Sequence, residues 1–296
     1  MTASPLFPVT LVMLALDEHD PSVLDALIAG APGLGCQTLV LAHVSPLDPL
    51  AGTLGMGLSF DDGDVPDALE AARTRVAAAL PGVDVKVEHG RGAVDSVFSD
   101  IIARHDVDLL VIGRLQTGET TNGWGPSGRK LLRTASCSTL LVPEGASLEW
   151  DHVVAGLDFS NHAAYALSVA CRLSDNVTAI CQYDLRAAGH GSLTDEQFAS
   201  ELEKNARDHF QRAVAPDLPE GANPTLEIHP GDRASDVLFD RAGDDVLVVG
   251  SRGLSKLATL LLGSTAERLA GRSKGPVLIV RKKGEVLGLL EGLFHR

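Results

Sequence analysis

The strongest constraint on this chain is that its two halves repeat one another. Val9 to Asp17 reads VTLVMLALD, and His152 to Ser160 reads HVVAGLDFS. Asp108 to Arg114, DLLVIGR, returns as Asp245 to Arg252, DVLVVGSR. Each half closes on an apolar run, Thr139 to Pro143 and Pro276 to Arg281. The spacing is steady: Asp17 to Asp158 is 141 positions, Gly113 to Gly250 is 137, and Val142 to Val280 is 138. Landmarks in one order at near-constant separation define an internal repeat. A unit of about 140 residues has the size of a domain, not of a solenoid repeat. The expectation is two domains, residues 1–145 and 150–283, with a C-terminal extension at 284–296. The segment Glu144 to Trp150, which contains Gly145 and Ser147, is the expected linker.

Within each half, apolar runs alternate with helical patterns. The first half offers strands at Val9 to Leu16, Thr38 to Val44, Val83 to Val87, Leu109 to Ile112 and Thr139 to Val142. Between them, Val23, Leu24, Leu27 and Ile28 mark one helix face, Val65 to Leu80 a second, and Val94 to Ile102 a third. The second half follows suit, with strands at Val153 to Leu157, Val177 to Cys181, Thr225 to Ile228 and Val246 to Val249. Its longest helix is expected from Thr194 to Val214, with Phe198, Leu202, Ala206, Phe210 and Val214 inward and Thr194–Gln197 as a capping box. Near-continuous apolar strands joined by helices imply parallel sheets covered on both faces. Right-handed crossovers then give an α/β fold, two open doubly wound parallel-sheet domains in tandem. Such domains bind ligands beyond the carboxyl ends of their strands, where the strand order reverses.

Composition narrows the functions. With 25 basic and 39 acidic side chains the net charge is −14, which argues against a general nucleic-acid or anionic-membrane binder. No apolar run approaches the length of a membrane span, and MTASPLFP lacks the basic and apolar regions of a signal peptide. Cys36, Cys137, Cys171 and Cys181 include no CxxC pair, so they read as reduced core thiols. The expected setting is the cytoplasm.

The sharpest local feature is Gly250-Ser251-Arg252-Gly253, directly after a strand, then nine residues, Leu254 to Leu262, then Gly263-Ser264-Thr265. Glycines let backbone N–H groups approach a ligand closely, and a helix start adds free donors and the positive end of its dipole. Glu267, three residues beyond Ser264, suggests a capping box there. Phosphate binding and tight structural turns both fit this pattern. It is neither a Walker A loop nor a Rossmann fingerprint, since no GxxxxGK[ST] or GxGxxG follows a first strand.

At these residues the chain resembles a tandem universal stress protein, over about residues 8 to 143 and 151 to 282. Members of that family that bind ATP carry Gly-x-x-Gly, nine residues, then Gly followed by Ser or Thr, and Gly250, Gly253, Gly263 and Ser264 match without a gap. The resemblance implies the adenine nucleotide alpha-hydrolase-like fold. It also implies ATP, or ADP or AMP, bound by the second domain, with Mg2+ as a companion. Asp158 then corresponds to the acidic residue on the ribose side, Ile180 to Tyr183 to the hydrophobic adenine pocket, and His229 to Asp232, including Gly231, to the turn after the third strand. Arg252 and Thr265 complete the expected contacts. The first domain departs from the motif: Gln116 replaces the second glycine, and Gly125-Pro126 replaces Gly-Ser, which removes a hydroxyl and an N–H. The resemblance therefore implies a degenerate first site, where Asp17 remains and Arg129, Lys130 and Arg133 are either an alternative anion site or an ordinary charged helix face.

No catalytic set stands out. The ten histidines are scattered and form no close ligand group, so no metal ligands and no catalytic residues are assigned. Asp158 and Asp232 could hold Mg2+ through water and phosphate, or Asp158 could serve the ribose alone. The expected function is an ATP-binding, nucleotide-responsive stress module without efficient turnover. The alternatives are a nucleotide-independent adaptor for a protein partner and a slow Mg2+-dependent ATPase. Leu257, Leu260 and Leu261 pack under the loop or cover an interface, and the tail, with Leu287, Leu290 and Phe294 at helical spacing, docks on the domain or a second subunit. The family resemblance further implies a pseudo-dimer of the two domains within one chain, through the fifth strands, and a possible homodimer.

Overall fold

The apolar runs become ten strands in the computed structural model, which describes residues 4–45, 63–114, 126–184, 194–230, 233–253 and 262–283. The chain divides into two units, Met1–Leu148 with Lys283–Arg296, and Glu149–Lys282. The leucines at 254–261, the tail at 284–296, Gly231, Asp232 and the first-half loop at 115–125 lie outside the described residues.

The first unit runs β1 (Val9–Met13), α1 (Asp20–Leu34), β2 (Thr38–Ser45), α2 (Val65–Ala79), β3 (Asp84–Arg91), α3 (Val94–His105), β4 (Leu109–Arg114), α4 (Pro126–Thr134) and β5 (Ser138–Pro143). Its strand order is β3-β2-β1-β4-β5, with every pair parallel. The second unit runs β6 (Val153–Gly156), α5 (Asn161–Leu173), β7 (Val177–Tyr183), α6 (Asp195–His209), β8 (Thr225–Pro230), α7 (Ala234–Ala242), β9 (Val246–Gly250), α8 (Ser264–Arg272) and β10 (Val277–Val280). Its order is β10-β9-β6-β7-β8, again all parallel. In both units the order reverses beside the first strand, at β1/β4 and at β6/β9. This is the doubly wound topology, and each reversal leaves a crevice at the carboxyl ends.

Central strands are buried on both faces, as their unbroken apolar sequences require: Leu11, Leu39, Leu109 and Leu110 are fully enclosed in the first unit, Ala155, Leu247 and Leu278 in the second. The edge strand β3 differs from expectation. It extends to Arg91 through Lys86, Glu88 and His89, because an edge strand exposes one side and tolerates charges there. The helix expected to Val214 stays α-helical only to His209, then widens into a π turn, Phe210–Val214, that buries both end residues. Its capping box forms: Thr194 N donates to Gln197 Oε1 at 3.0 Å and Gln197 N to Thr194 Oγ1 at 3.3 Å.

At the amino ends of the second sheet, His152 joins three strands. Its Nδ1 lies 2.7 Å from Asp245 Oδ2 and its Nε2 lies 3.0 Å from Thr178 Oγ1. Thr178 is itself a ladder residue of β7, paired with Val154 and Thr225. The chain of bonds therefore ties the beginnings of β9, β6 and β7 together, at the opposite end of the strands from the crevice.

Candidate functional site

The crevice of the second unit is a cleft of about 230 Å³, open to solvent. That is a little under the usual range of small-molecule sites, about 300–1,000 Å³. Five segments build it.

The first is the turn leaving β6. Leu157 N donates to Ile180 O at 2.8 Å, which carries the chain past the sheet, and Asp158 follows. Asp158 Oδ1 accepts from Ser160 N at 3.0 Å, and Ser160 Oγ accepts from Ala163 N at 3.2 Å as the cap of α5. Between them Phe159 sits in the left-handed region, φ 61°, which costs about 1–2 kcal/mol for such a residue. Its ring meets His209 edge-on at 5.0 Å.

The second and third segments form the apolar end. Ile180 and Gln182, two apart on β7, share the face that lines the cleft, and Ala234 and Leu238 of α7 lie over it. Gly156 forms the floor, since a Cβ there would stand 3.0 Å from Leu238 Cδ1 and 3.1 Å from Val249 Cγ1.

The fourth and fifth segments form the polar end. Gly250 packs on the backbone of α5, where a Cβ would come 2.8 Å from His162 C. Gly253 faces Asp158, whose Oδ2 occupies the space that a Cβ on Gly253 would need. Ser251 N donates to Val280 O and Gly263 N to Ser251 O, both at 2.9 Å, which fixes the two glycine segments side by side. The expected Ser264–Glu267 capping box does not form. Gly263 itself is the N-cap, extended at φ −63°, and Glu267 N returns to Gly263 O at 2.9 Å. Ser264 is thus the first helical residue, past the position from which a hydroxyl can cap. The N–H groups of Ser264, Thr265 and Ala266 have no intrahelical acceptor, as at any helix start. Arg252 lines the same end, and its Nη2 is buried without a hydrogen-bond partner among the described residues.

Of the residues expected from sequence, the cleft gathers Asp158, Ile180, Gly250, Arg252, Gly253, Gly263, Ser264 and Thr265. Tyr183 and His229 are not among its lining residues. Strand alternation puts Tyr183 on the opposite face from Ile180 and Gln182. His229 is one strand further out, in register with Gln182, and its Nε2 lies 2.8 Å from Glu227 Oε2. Ala234 and Leu238 carry no motif that singles them out in the sequence, and Gln182 falls within the expected adenine-pocket range Ile180 to Tyr183. Among the described residues no group of three or more His, Cys, Asp or Glu could hold a metal ion. Burial pushes the Cys181 thiol up to about 11, with the Asp158 charge adding to it, so this thiol stays protonated.

The first unit handles the corresponding turn differently. Asp17 Oδ1 accepts from His19 N at 3.0 Å, matching Asp158 and Ser160. Asp20, however, folds back and accepts from Ala15 N at 3.1 Å and Leu16 N at 2.7 Å. The equivalent position in the second unit is the exposed Asn161. The donors that follow β1 are thus already satisfied by the protein's own carboxylate. α4 begins at Pro126, where α8 begins at Ser264. Lys130 pairs with Asp95 of α3, while Arg129 is exposed on the face of α4.

A duplicated five-stranded parallel domain with a donor-lined crevice defines a tandem, doubly wound α/β protein. The chain belongs to the universal stress protein family, whose sequence model matches it twice, at residues 12–143 and 149–281. A universal stress protein from Archaeoglobus fulgidus DSM 4304 has the same fold, with 18% identity, 93% of this chain and 98% of that chain covered, and a TM-score of 0.64. A functionally unknown protein from Pseudomonas aeruginosa PAO1 is similar at 17% identity, with 98% of each chain covered and a TM-score of 0.61. At these identities the likeness is one of fold. No curated protein matches the chain.

Proposed function

We propose that the second unit binds an adenine nucleotide in this cleft, ATP with ADP or AMP as alternatives, and that the chain serves a stress response as a nucleotide-responsive module without rapid turnover. One observation carries the reading: among the described residues, the polar end of the cleft presents donors without acceptors. A buried donor left unpaired costs about 1–3 kcal/mol, more when charged, and an anionic ligand removes that cost. Arg252 Nη2 is such a donor, beside the first turn of α8. Phosphate oxygens suit both, because a guanidinium and a helix start each favour negative charge. The apolar end, over Ile180 and Leu238, suits a flat ring, and Asp158 stands between the two ends to accept ribose hydroxyls. Mg2+ would accompany the phosphates. The motif spacing at Gly250, Gly253, Gly263 and Ser264 supports the same ligand by its resemblance to ATP-binding members of the family. A second copy of the chain and a protein partner that respond to bound nucleotide complete the reading, and sedimentation with and without ATP tests the first of these.

The deciding experiment is to purify the protein without added nucleotide, denature it, and identify released small molecules by chromatography and mass. The same is done for Gly263→Asp. One adenine nucleotide per chain, lost in the variant, is the expected result. Two per chain would place a site in the first unit as well. None, with no binding of added ATP at millimolar concentration, overturns the proposal.

A further inference from the structure

We infer that the second unit carries another small-molecule site, a pocket at the amino ends of its strands that takes a small organic cation with an apolar body. It lies at the opposite end of the sheet from the cleft and does not depend on the nucleotide reading. The pocket holds about 400 Å³, within the range of small-molecule sites, and opens to solvent. Three stretches build it: the end of α5 with the connection after it, the first residue of β7, and the turn that leads into β8. Its walls are set by the fold. Ser174 N donates to Ala170 O at 3.0 Å and closes α5. Ser174 Oγ accepts from Asn176 N at 3.0 Å, which fixes the connection that carries Asp175. In the third stretch Ala222 N donates to Pro219 O at 3.0 Å across a tight turn, with Gly221 at φ 83° in its third position. Pro219 and Pro224 stiffen the two sides of that turn. A pocket built this way spends little on ordering when a ligand enters.

The lining selects the ligand. Val177 is buried and Cys171 half-buried, and together with the prolines they supply apolar surface. Burial pushes the Cys171 thiol up to about 11, so the sulfur adds no charge. Asp175 and Glu220 are exposed, and neither carboxylate has a hydrogen-bond or ion-pair partner among the described residues. Among the described residues no basic side chain lines the pocket. An anion would meet two carboxylates and no countercharge. A bare metal ion is a poor fit, since among the described residues no group of three or more His, Cys, Asp or Glu could hold one. A ring or short alkyl chain that ends in an ammonium fits both parts: its apolar body covers Val177 and the prolines, and its charge stays with Asp175 and Glu220.

The test is a ligand-detected NMR titration of the full-length chain with benzylamine and with benzyl alcohol, which share a ring and differ in charge. It is run on the wild type, on Asp175→Asn combined with Glu220→Gln, and on Cys171→Phe, with a thermal melt of each. The wild type is expected to bind benzylamine about fivefold more tightly than benzyl alcohol, the scale of one or two exposed ion pairs. The double variant is expected to bring the two affinities together. Cys171→Phe, whose ring takes up pocket space, is expected to lose both. No binding of benzylamine to the wild type at millimolar concentration overturns the inference, as does an unchanged benzylamine affinity in the double variant or in folded Cys171→Phe. If Cys171→Phe does not fold, the double variant decides, since both of its positions are exposed. Saturating ATP is expected to leave benzylamine bound; displacement would put the probe in the cleft and overturn the inference.

Discussion

At Gly250 a Cβ would stand 2.8 Å from the His162 carbonyl carbon and 2.9 Å from its oxygen, both backbone atoms that cannot swing aside. At Gly263 the nearest atoms, Arg252 Cα and Ser251 O, are 3.5 Å away, an ordinary contact, and the backbone is extended. Among the described residues, packing therefore requires the first glycine and not the second; on the nucleotide reading, the second serves the ligand that approaches the α8 start. Gly250→Ala is expected to destabilise by about 1–3 kcal/mol through overpacking. Gly263→Ala is expected to stay within about 0.5 kcal/mol of wild type and to weaken nucleotide binding about tenfold or more. Denaturant titration and dialysis of the two variants check the contrast, and a Gly263→Ala protein that binds normally would remove Gly263 from the site. The glycines and Asp158 were legible because a motif needs particular residue types at particular steps. Ala234 and Leu238 were not, because apolar positions on a helix read equally well as ordinary core. His229 lies near the turn in sequence, but its side chain bonds the neighbouring Glu227 and is not among those lining the cleft.

Among the secondary elements, the alternation of strand and helix was readable from apolar periodicity, whereas the polar ends of edge strands were not. One device there recurs in both units. Glu88 of β3 accepts from His105 Nε2 at 2.7 Å and Arg104 Nη1 at 2.8 Å at the end of α3. Glu227 of β8 is held by His229, and by Arg241 Nη2 of α7 at 2.6 Å. The His229 hydrogen bond, with Arg241, holds the Glu227 carboxyl below the usual glutamate range. Burial alone would raise Glu88, but the bonds from His105 and Arg104 outweigh it, so its carboxyl is lowered as well. A lowered folded value means that stability from these pairs is present above the ordinary glutamate value and is lost as pH falls through the folded one. Glu227→Gln is expected to lose about 0.5–1 kcal/mol at neutral pH, with the gap to wild type closing in acid. A pH series of denaturant midpoints reads this, and a gap that is constant with pH would show that charge is not the cause. The turn after β1 offers a second test. Asp20→Ala leaves the Ala15 and Leu16 N–H groups without their acceptor, at an expected cost of about 1 kcal/mol in the first unit.

For the molecule as a whole, the repeat predicts two similar units, and the structure shows how duplication permits them to diverge. Both keep the strand order that opens a crevice beside the first strand. In the second unit the crevice retains a guanidinium donor, Arg252 Nη2, without a partner among the described residues. In the first, Asp20 satisfies the turn from within, and proline begins the helix that a serine begins in the other half. The sequence revealed the lost glycine and hydroxyl of the first half. It did not reveal the carboxylate that fills in, because an aspartate before a helix reads equally well as a simple start signal. Ligand response should therefore be lopsided. Hydrogen exchange on the full chain with saturating ATP is expected to slow amides at residues 156–182, 249–253 and 262–266 and to leave those at Ala15, Leu16 and the start of α4 unchanged, since ligand binding protects the amides it contacts. Equal slowing in both halves would mean that the first crevice binds as well, with Asp20 displaced from its backbone partners by the ligand.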